Sequence, residues 1–188
     1  MPEITQTLYV TTSKQWRQWL KQNHKTAQDI WLIFPHKATN KPRIGYNEAV
    51  EEALCFGWID SIVKAYDASC SVQRFSPRKD NSNWSQPNIE RLRWLNDQGK
   101  LMPFIRNKVL PILKRKFVFP KDILGELGKN PKAMANFAAS SKAYQRIRVA
   151  YVDGARPRPE EFQRRLKSLI TAAEQNQQVG FGGIEKYY

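Results

Sequence analysis

The stretch LCFGWIDS, residues 54–61, decides the fold because the hydrophobic period changes inside it. Upstream, Tyr46, Ala49, Val50, Ala53 and Leu54 recur at i, i+3, i+4, i+7 and i+8, the stripe of an amphipathic helix. Gly57 stands where helices commonly end in the left-handed conformation, which glycine adopts without the clash a Cβ would bring. After it, WIDSIVKAY has the β-branched and aromatic content of a strand. The pattern predicts a helix end at 54–57 and a strand start at Trp58. A turn at DAS, 67–69, then folds the chain back into CSVQRFS, 70–76, as a hairpin.

Outward from this junction the signals continue. Thr12 followed by Gln15 is a capping-box pair, and Trp16, Trp19 and Leu20 fall at helical spacing, so a helix is expected over 13–23. IWLIF, 30–34, closed by Pro35, is a short unbroken apolar run, the pattern of a strand buried on both faces. Ser85 can cap a helix with Pro87 in its first turn, a position where proline costs nothing, running through Ile89, Leu92 and Leu95 to Gly99. From Met102 onward only helices are expected, punctuated by Pro103, Pro111, Pro120, Pro131 and the PRP of 157–159. Ser140 or Ser141 caps one of them, and Phe162, Leu166, Leu169, Ile170 and Ala173 mark the apolar stripe of the last. The fold class is α+β: a small antiparallel or mixed sheet with flanking helices, followed by an all-helical C-terminal module. The expected domains are 1–115 and 116–188, joined near KRKFVFP at 114–120, with GFGGIEKYY as a tail whose Phe181, Tyr187 and Tyr188 either pack on the body or mediate self-association.

A chain of 188 residues with 41% hydrophobic residues, six Trp and nine Phe can bury a core without covalent staples. Cys55 and Cys70 have neither the number nor the spacing of a disulfide framework and suit a reducing compartment, so a cytoplasmic location is expected. The start MPEITQTLYVTTSKQW lacks the basic and apolar regions of an export signal, and no run approaches the length of a membrane span. The net charge of +14 is unevenly placed, with 12 basic against 4 acidic residues between 61 and 120. Such a field draws polyanions, which makes nucleic-acid binding through the middle third one reading, although basic surfaces also serve solubility.

Few templates for chemistry fit. Cys55 as a nucleophile needs a base, and the two histidines, His24 and His36, lie far off in sequence, so a buried hydrophobic role is preferred. Trp58 is read as a core anchor rather than a stacking surface. Asp60, between Ile59 and Ile62, must face water or meet a cation. With the hairpin turn centred near residue 68, it is expected to face 74–78, which covers Arg74 and Arg78, as a structural pair or as part of a ligand site. RFSPRKDNSNWS, 74–85, is the favoured binding loop: Arg74, Arg78 and Lys79 stand beside Trp84, with Ser76, Ser82 and Asn88 as neutral donors. The alternative is a solvated loop with Trp84 covering the sheet edge. Zinc-ligand spacing, G-x-S-x-G and the Walker pattern are missing, so no metal or cofactor is expected. Glu51 and Glu52 are placed on the outer face of their helix, which argues against paired-carboxylate chemistry.

Three blocks carry a family resemblance: EEALCFGWIDS at 51–61, RFSPRKDNSNWSQPNIERLRWLNDQGKL at 74–101, and FPKDILGELGKNPKAMANFAASSKAYQRIRVAYVDGARPRPEEFQRRL in the last third. With them the chain resembles the YdeI/OmpD-associated family over about residues 8–170, the first two blocks being the more distinctive. It departs at ARPRPEEF, 155–162, where the family pattern has a Lys-rich segment leading to a threonine-arginine pair. The resemblance implies an α+β domain followed by a helical module, and a link in name to protection against bacteriocins and antimicrobial peptides. The expected function is a non-enzymatic cytoplasmic protein that binds an anionic small molecule or a protein partner through Asp60, Arg74, Arg78, Lys79, Trp84 and Asn88. Nucleic-acid binding is one alternative and an enzyme with a small pocket at Asp60 and Arg74 is another.

Overall fold

The computed structural model describes residues 3–79, 82–180 and 185–187. Two compact units emerge from its contacts: 1–83 with 92–110, and 84–91 with 111–188.

The first unit holds a four-stranded mixed sheet in the order β1-β2-β4-β3, made of β1 (Thr7–Leu8), β2 (Ile30–Pro35), β3 (Trp58–Ala65) and β4 (Cys70–Pro77). β1, which the sequence pattern does not signal, runs parallel to β2; the other pairings are antiparallel. β2 is buried along almost its whole length, as an apolar run without alternation requires. Helices α1 (Ser13–Asn23) and α2 (Tyr46–Cys55) pack together, and the Trp16 indole donates to the carbonyl of Ala49 at 3.0 Å. Trp16 meets Phe75 edge-on with ring centres 5.5 Å apart, and Trp19 meets Trp58 at 5.6 Å, so large rings fill the layer between helix and sheet. The Thr12–Gln15 capping box forms at the head of α1.

At the LCFGWIDS junction, α2 ends at Cys55, Gly57 has φ +74°, and β3 begins at Trp58. The left-handed glycine turns the chain from helix into strand within two residues. Glu51 does not lie on an outer face: it is buried, together with Val50, Ala53, Leu54 and Cys55. α2 is wrapped on more than one side, because α1 covers one flank while Met102, whose amide donates to the Cys55 carbonyl, and Ile105, beside Gly57, close another. Glu52 pairs with Arg17 at 2.7 Å.

α3 (Gln86–Asp97) contributes residues to both units, ending before Gly99 with φ +64°. α4 (Pro103–Lys114) contains Pro111 in its interior rather than stopping there. The missing N–H removes one rung of the helical ladder, and the division between the units falls between Leu110 and Pro111.

The second unit is built from α5 (Lys121–Gly128), α6 (Pro131–Ala139), α7 (Lys142–Asp153) and α8 (Pro159–Glu174). Its core comprises Ile123, Leu127, Phe137, Tyr144, Val149, Val152, Leu166 and Leu169. Ser141 caps α7 by accepting from the Tyr144 amide at 3.1 Å. The buried Gln145 amide nitrogen lies within hydrogen-bond reach of the carbonyls of Phe137, Ala138 and Ser140 and shares its two hydrogens among them at the end of α6, where the Ser140 amide and hydroxyl also donate to Phe137. Glu90, 3% exposed, receives two bonds of 2.7 Å from Arg146 and one of 2.6 Å from Gln86, tying the start of α3 to α7. The fold is α+β with a helical C-terminal region. Among the described residues, no helix is long and apolar enough to cross a membrane.

Candidate functional site

The expected partnership of Asp60 with Arg74 does not form. In the β3–β4 register Asp60 stands opposite Phe75, so Arg74, one position away, projects from the other face of the sheet. Asp60 instead accepts from the Tyr46 hydroxyl at 2.6 Å. Arg74 is held by Asp29, with Nε at 2.8 Å and Nη2 at 2.7 Å from the same carboxylate oxygen. Arg78 donates to the carbonyls of Ser82 and Asn83 and braces the loop from within. Lys79 is exposed, and its carbonyl accepts from Ser82. Trp84 and Asn88 belong to the second unit, where Asn88 accepts from Arg91 at 2.8 Å. Asp80 and Asn81 of the expected loop lie outside the described residues.

Cys55 is a core residue. Burial, reinforced by the neighbouring Glu52 carboxylate, pushes its thiol up to about 11, far from a usable thiolate at neutral pH. Cys70 is also buried and unlinked. Trp58 is a core anchor, 1% exposed. His24 stacks on Phe104, with ring centres 5.3 Å apart, and faces the Leu20 carbonyl through Nδ1. Among the described residues no group of three metal-ligating side chains occurs.

The concentration of charge with a cavity lies in the second unit. A cavity of about 210 Å³ opens between α7 and α8, lined by Arg148, Tyr151, Arg164, Arg165, Ser168 and Gly180 among others. Three guanidinium groups converge there because α7 and α8 pack together, bringing residue 148 beside 164–165. Arg148 is 4% exposed and sits one turn from both Tyr144 and Val152, at a position of the buried stripe. The segment after α8 supplies another wall. The Val179 amide donates to the Tyr144 hydroxyl at 3.1 Å, and Gly180 passes so close to Arg148 that a Cβ there would fall 2.7 Å from Nη2.

Glu161 fixes the cluster. It accepts from Arg165 at 2.6 Å and Arg164 at 2.7 Å, and these two bonds hold its carboxyl below the ordinary range, so it is ionised at neutral pH. Arg165 also donates to the Tyr151 carbonyl at 2.8 Å, and its guanidinium carbon lies 3.8 Å from the Tyr151 ring centre. One carboxylate therefore orders two cations, and among the described residues the cavity lining contains no acid. Arg164 spends Nε and Nη2 on Glu161, and Arg165 spends Nε on Glu161 and Nη1 on the Tyr151 carbonyl, so Nη1 of Arg164 and Nη2 of Arg165, with the Arg148 guanidinium, are the groups that a carboxylate, phosphate or sulfate in the open volume would meet.

A second recess, of about 420 Å³, shares Arg148, Tyr151 and Arg165 with the first. Its remaining walls include Trp84, Pro87, Ile147, Ala150 and Gly154. Of the six residues expected to form the binding site, Trp84 lines this recess. The arginine cluster was not read from the sequence, although a charged residue at the Tyr144–Arg148–Val152 spacing was its available signal. Further along the chain, Tyr187 is buried with Arg91 over its ring at 5.8 Å. Phe181 and Tyr188, and the GFGG cluster beyond Gly180, fall outside the described residues.

Fold and site together define a two-unit α+β protein with a basic cleft in its helical part. Residues 8–108, more than half of the chain, match a family described as a domain of unknown function (DUF8412), and the chain belongs to that family. Residues 116–176 match the family described as Bacteriocin-protection, YdeI or OmpD-Associated. This second match covers the third block of the resemblance and the whole α7–α8 cluster from Arg148 to Arg165. The blocks at 51–61 and 74–101, taken above as the more distinctive, fall within the first family instead. No curated protein and no solved structure matches the chain.

Proposed function

We propose that the chain is a non-enzymatic binding protein whose helical unit holds a small anion between α7 and α8, with Arg148, Arg164 and Arg165 as its donors. The observation that carries this reading is the convergence of three guanidinium groups on one cavity with Glu161 ordering two of them. Burial of Arg148 strengthens any charge-assisted bond it makes, because the local dielectric is lower than that of water. A cytoplasmic location goes with this reading, supported by two buried, unlinked thiols. So does a contribution to bacteriocin or antimicrobial-peptide tolerance, supported by the description of the second family. Direct capture of cationic peptides is disfavoured, since a chain of net charge +14 repels them. The contribution therefore runs through an anionic ligand.

The test is thermal denaturation of the full chain with inorganic phosphate or citrate at constant ionic strength. Stabilisation that rises with anion concentration, and that Arg164→Ala with Arg165→Gln abolishes while the unliganded midpoint stays within a few degrees, is the expected outcome. Equal stabilisation of the parent and the double variant, or none in either, refutes the site.

A further inference from the structure

The recess beside the arginine cluster is more apolar than the cluster itself, and the two share a wall. Arg148, Tyr151 and Arg165 line both cavities, whereas Trp84, Pro87, Ile147, Ala150 and Gly154 line the recess alone. Its volume of about 420 Å³ falls in the ~300–1,000 Å³ range of small-molecule sites. Gly154 presents no side chain to this wall, and Pro87 in the first turn of α3 is compact and rigid. A slot bounded by an indole, a phenol ring and aliphatic side chains, with Ser85 and Gln86 as its neutral polar groups, takes a flat ring that carries hydrogen-bonding atoms. The guanidinium groups at its shared end take the charge to which that group is attached.

We infer that the recess is a ring-binding subsite and that the ligand of the helical unit is a mononucleotide, its phosphate on the Arg148–Arg164–Arg165 cluster and its base between Trp84 and the Tyr151 side of the recess. This deepens the proposed anion site and rests on it. Three features support a nucleotide over a bare anion. The cluster and the recess are contiguous through three shared residues, so one molecule can occupy both. Tyr151 is held by the Arg165 guanidinium, 3.8 Å from its ring centre, which lowers the cost of ordering it on binding. Every base has a π-face, so aromatic walls suit any of the four bases and the subsite selects the class rather than a particular base.

The experiment is calorimetric titration of the full chain with AMP, ribose 5-phosphate and inorganic phosphate in the same buffer at low salt, repeated on Trp84→Ala. AMP is expected to bind at least about fivefold more tightly than ribose 5-phosphate, the lower end of what stacking one base supplies. Trp84→Ala is expected to remove most of that advantage while leaving the affinity for ribose 5-phosphate within about twofold. The latter titration also serves as the folding control. If AMP and ribose 5-phosphate bind equally, or if Trp84→Ala weakens both alike, the ring subsite is wrong and the anion site stands. If none of the three binds, the anion site is wrong and the subsite falls with it. A single-stranded pentadeoxyadenylate that binds over tenfold more tightly than AMP, with an affinity falling steeply as salt rises, would overturn the mononucleotide in favour of a strand.

Discussion

Arg165 lies over the ring of Tyr151 at 3.8 Å and donates to that residue's own carbonyl at 2.8 Å, so one guanidinium group grips both the side chain and the backbone of α7. A planar fork can stack and donate at once; an ammonium cannot. Arg165→Lys is therefore expected to weaken phosphate binding several-fold with the formal charge unchanged, and to cost roughly 1 kcal/mol of stability from the lost stack and bond. Tyr151→Phe keeps ring and carbonyl and is expected to cost less on both counts. Urea titration and calorimetry on the two variants make the comparison.

The Glu90–Arg146 pair is more heavily buried. Glu90 is 3% exposed and meets Arg146 through two parallel bonds of 2.7 Å, so most of the charge compensation that Arg146 gives it is lost when that side chain is removed. Arg146→Ala leaves a buried carboxylate without its main cation, and a loss on the order of 3 kcal/mol is expected. Replacing both residues with leucine and methionine is expected to recover much of that loss, because a well-packed apolar pair needs no desolvation of charge. The midpoint of urea unfolding, followed by helical circular dichroism, distinguishes the outcomes.

Asp67 fixes the β3–β4 turn. Its carboxylate accepts from the Ser69 amide at 2.6 Å, the Ser69 hydroxyl at 2.8 Å and the Cys70 amide at 2.9 Å, and these bonds lower its pKa to about 2. A depressed folded-state pKa means the proton binds the unfolded chain more tightly than the folded one. The turn's stabilisation is thus fully present above about pH 4, the ordinary aspartate value, and is lost as pH falls toward 2. Amide hydrogen exchange at Ser69 and Cys70, corrected for intrinsic rates, is expected to accelerate over that interval. In Asp67→Ala the corrected rates should already be fast at pH 6 and insensitive to this range.

Local signals in the sequence translated directly into structure: the Thr12–Gln15 box, Pro87 in a first turn, Ser141 as a cap and Gly57 as a stop each act within four residues of themselves. What failed depended on distant neighbours. The side on which Asp60 points is set by a register in which pairs sum to 135 before the irregularity between Asp60 and Val63 and 136 after it, and a one-position error moves Arg74 to the other face. Glu51 looked solvated because the helix stripe alone does not show that α2 is covered on more than one side, its end at Cys55 and Gly57 being met by Met102 and Ile105 from a distant stretch of sequence. Arg148 and Arg165 drew no reading from the sequence, since nothing in either helix states that the other lies against it. The local clue was Arg148 itself, a charge midway between Tyr144 and Val152 on the stripe that α7 buries.

Gly57 offers a test of the junction from which the fold was read. With φ +74°, any L side chain is strained there, and an added Cβ would lie 2.5 Å from Cδ1 of Ile105. That atom is the tip of a side chain and can rotate aside, so most of the cost is the left-handed backbone, about 1 kcal/mol, with a further ~1 kcal/mol for repacking a buried isoleucine. Gly57→Ala is expected to lose about 2 kcal/mol, and adding Ile105→Val to return part of it by clearing the collision. A double variant no better than Gly57→Ala would assign the whole effect to the backbone, and a neutral Gly57→Ala would mean that the helix and strand do not meet through a left-handed residue. Urea titration of the three variants decides among these outcomes.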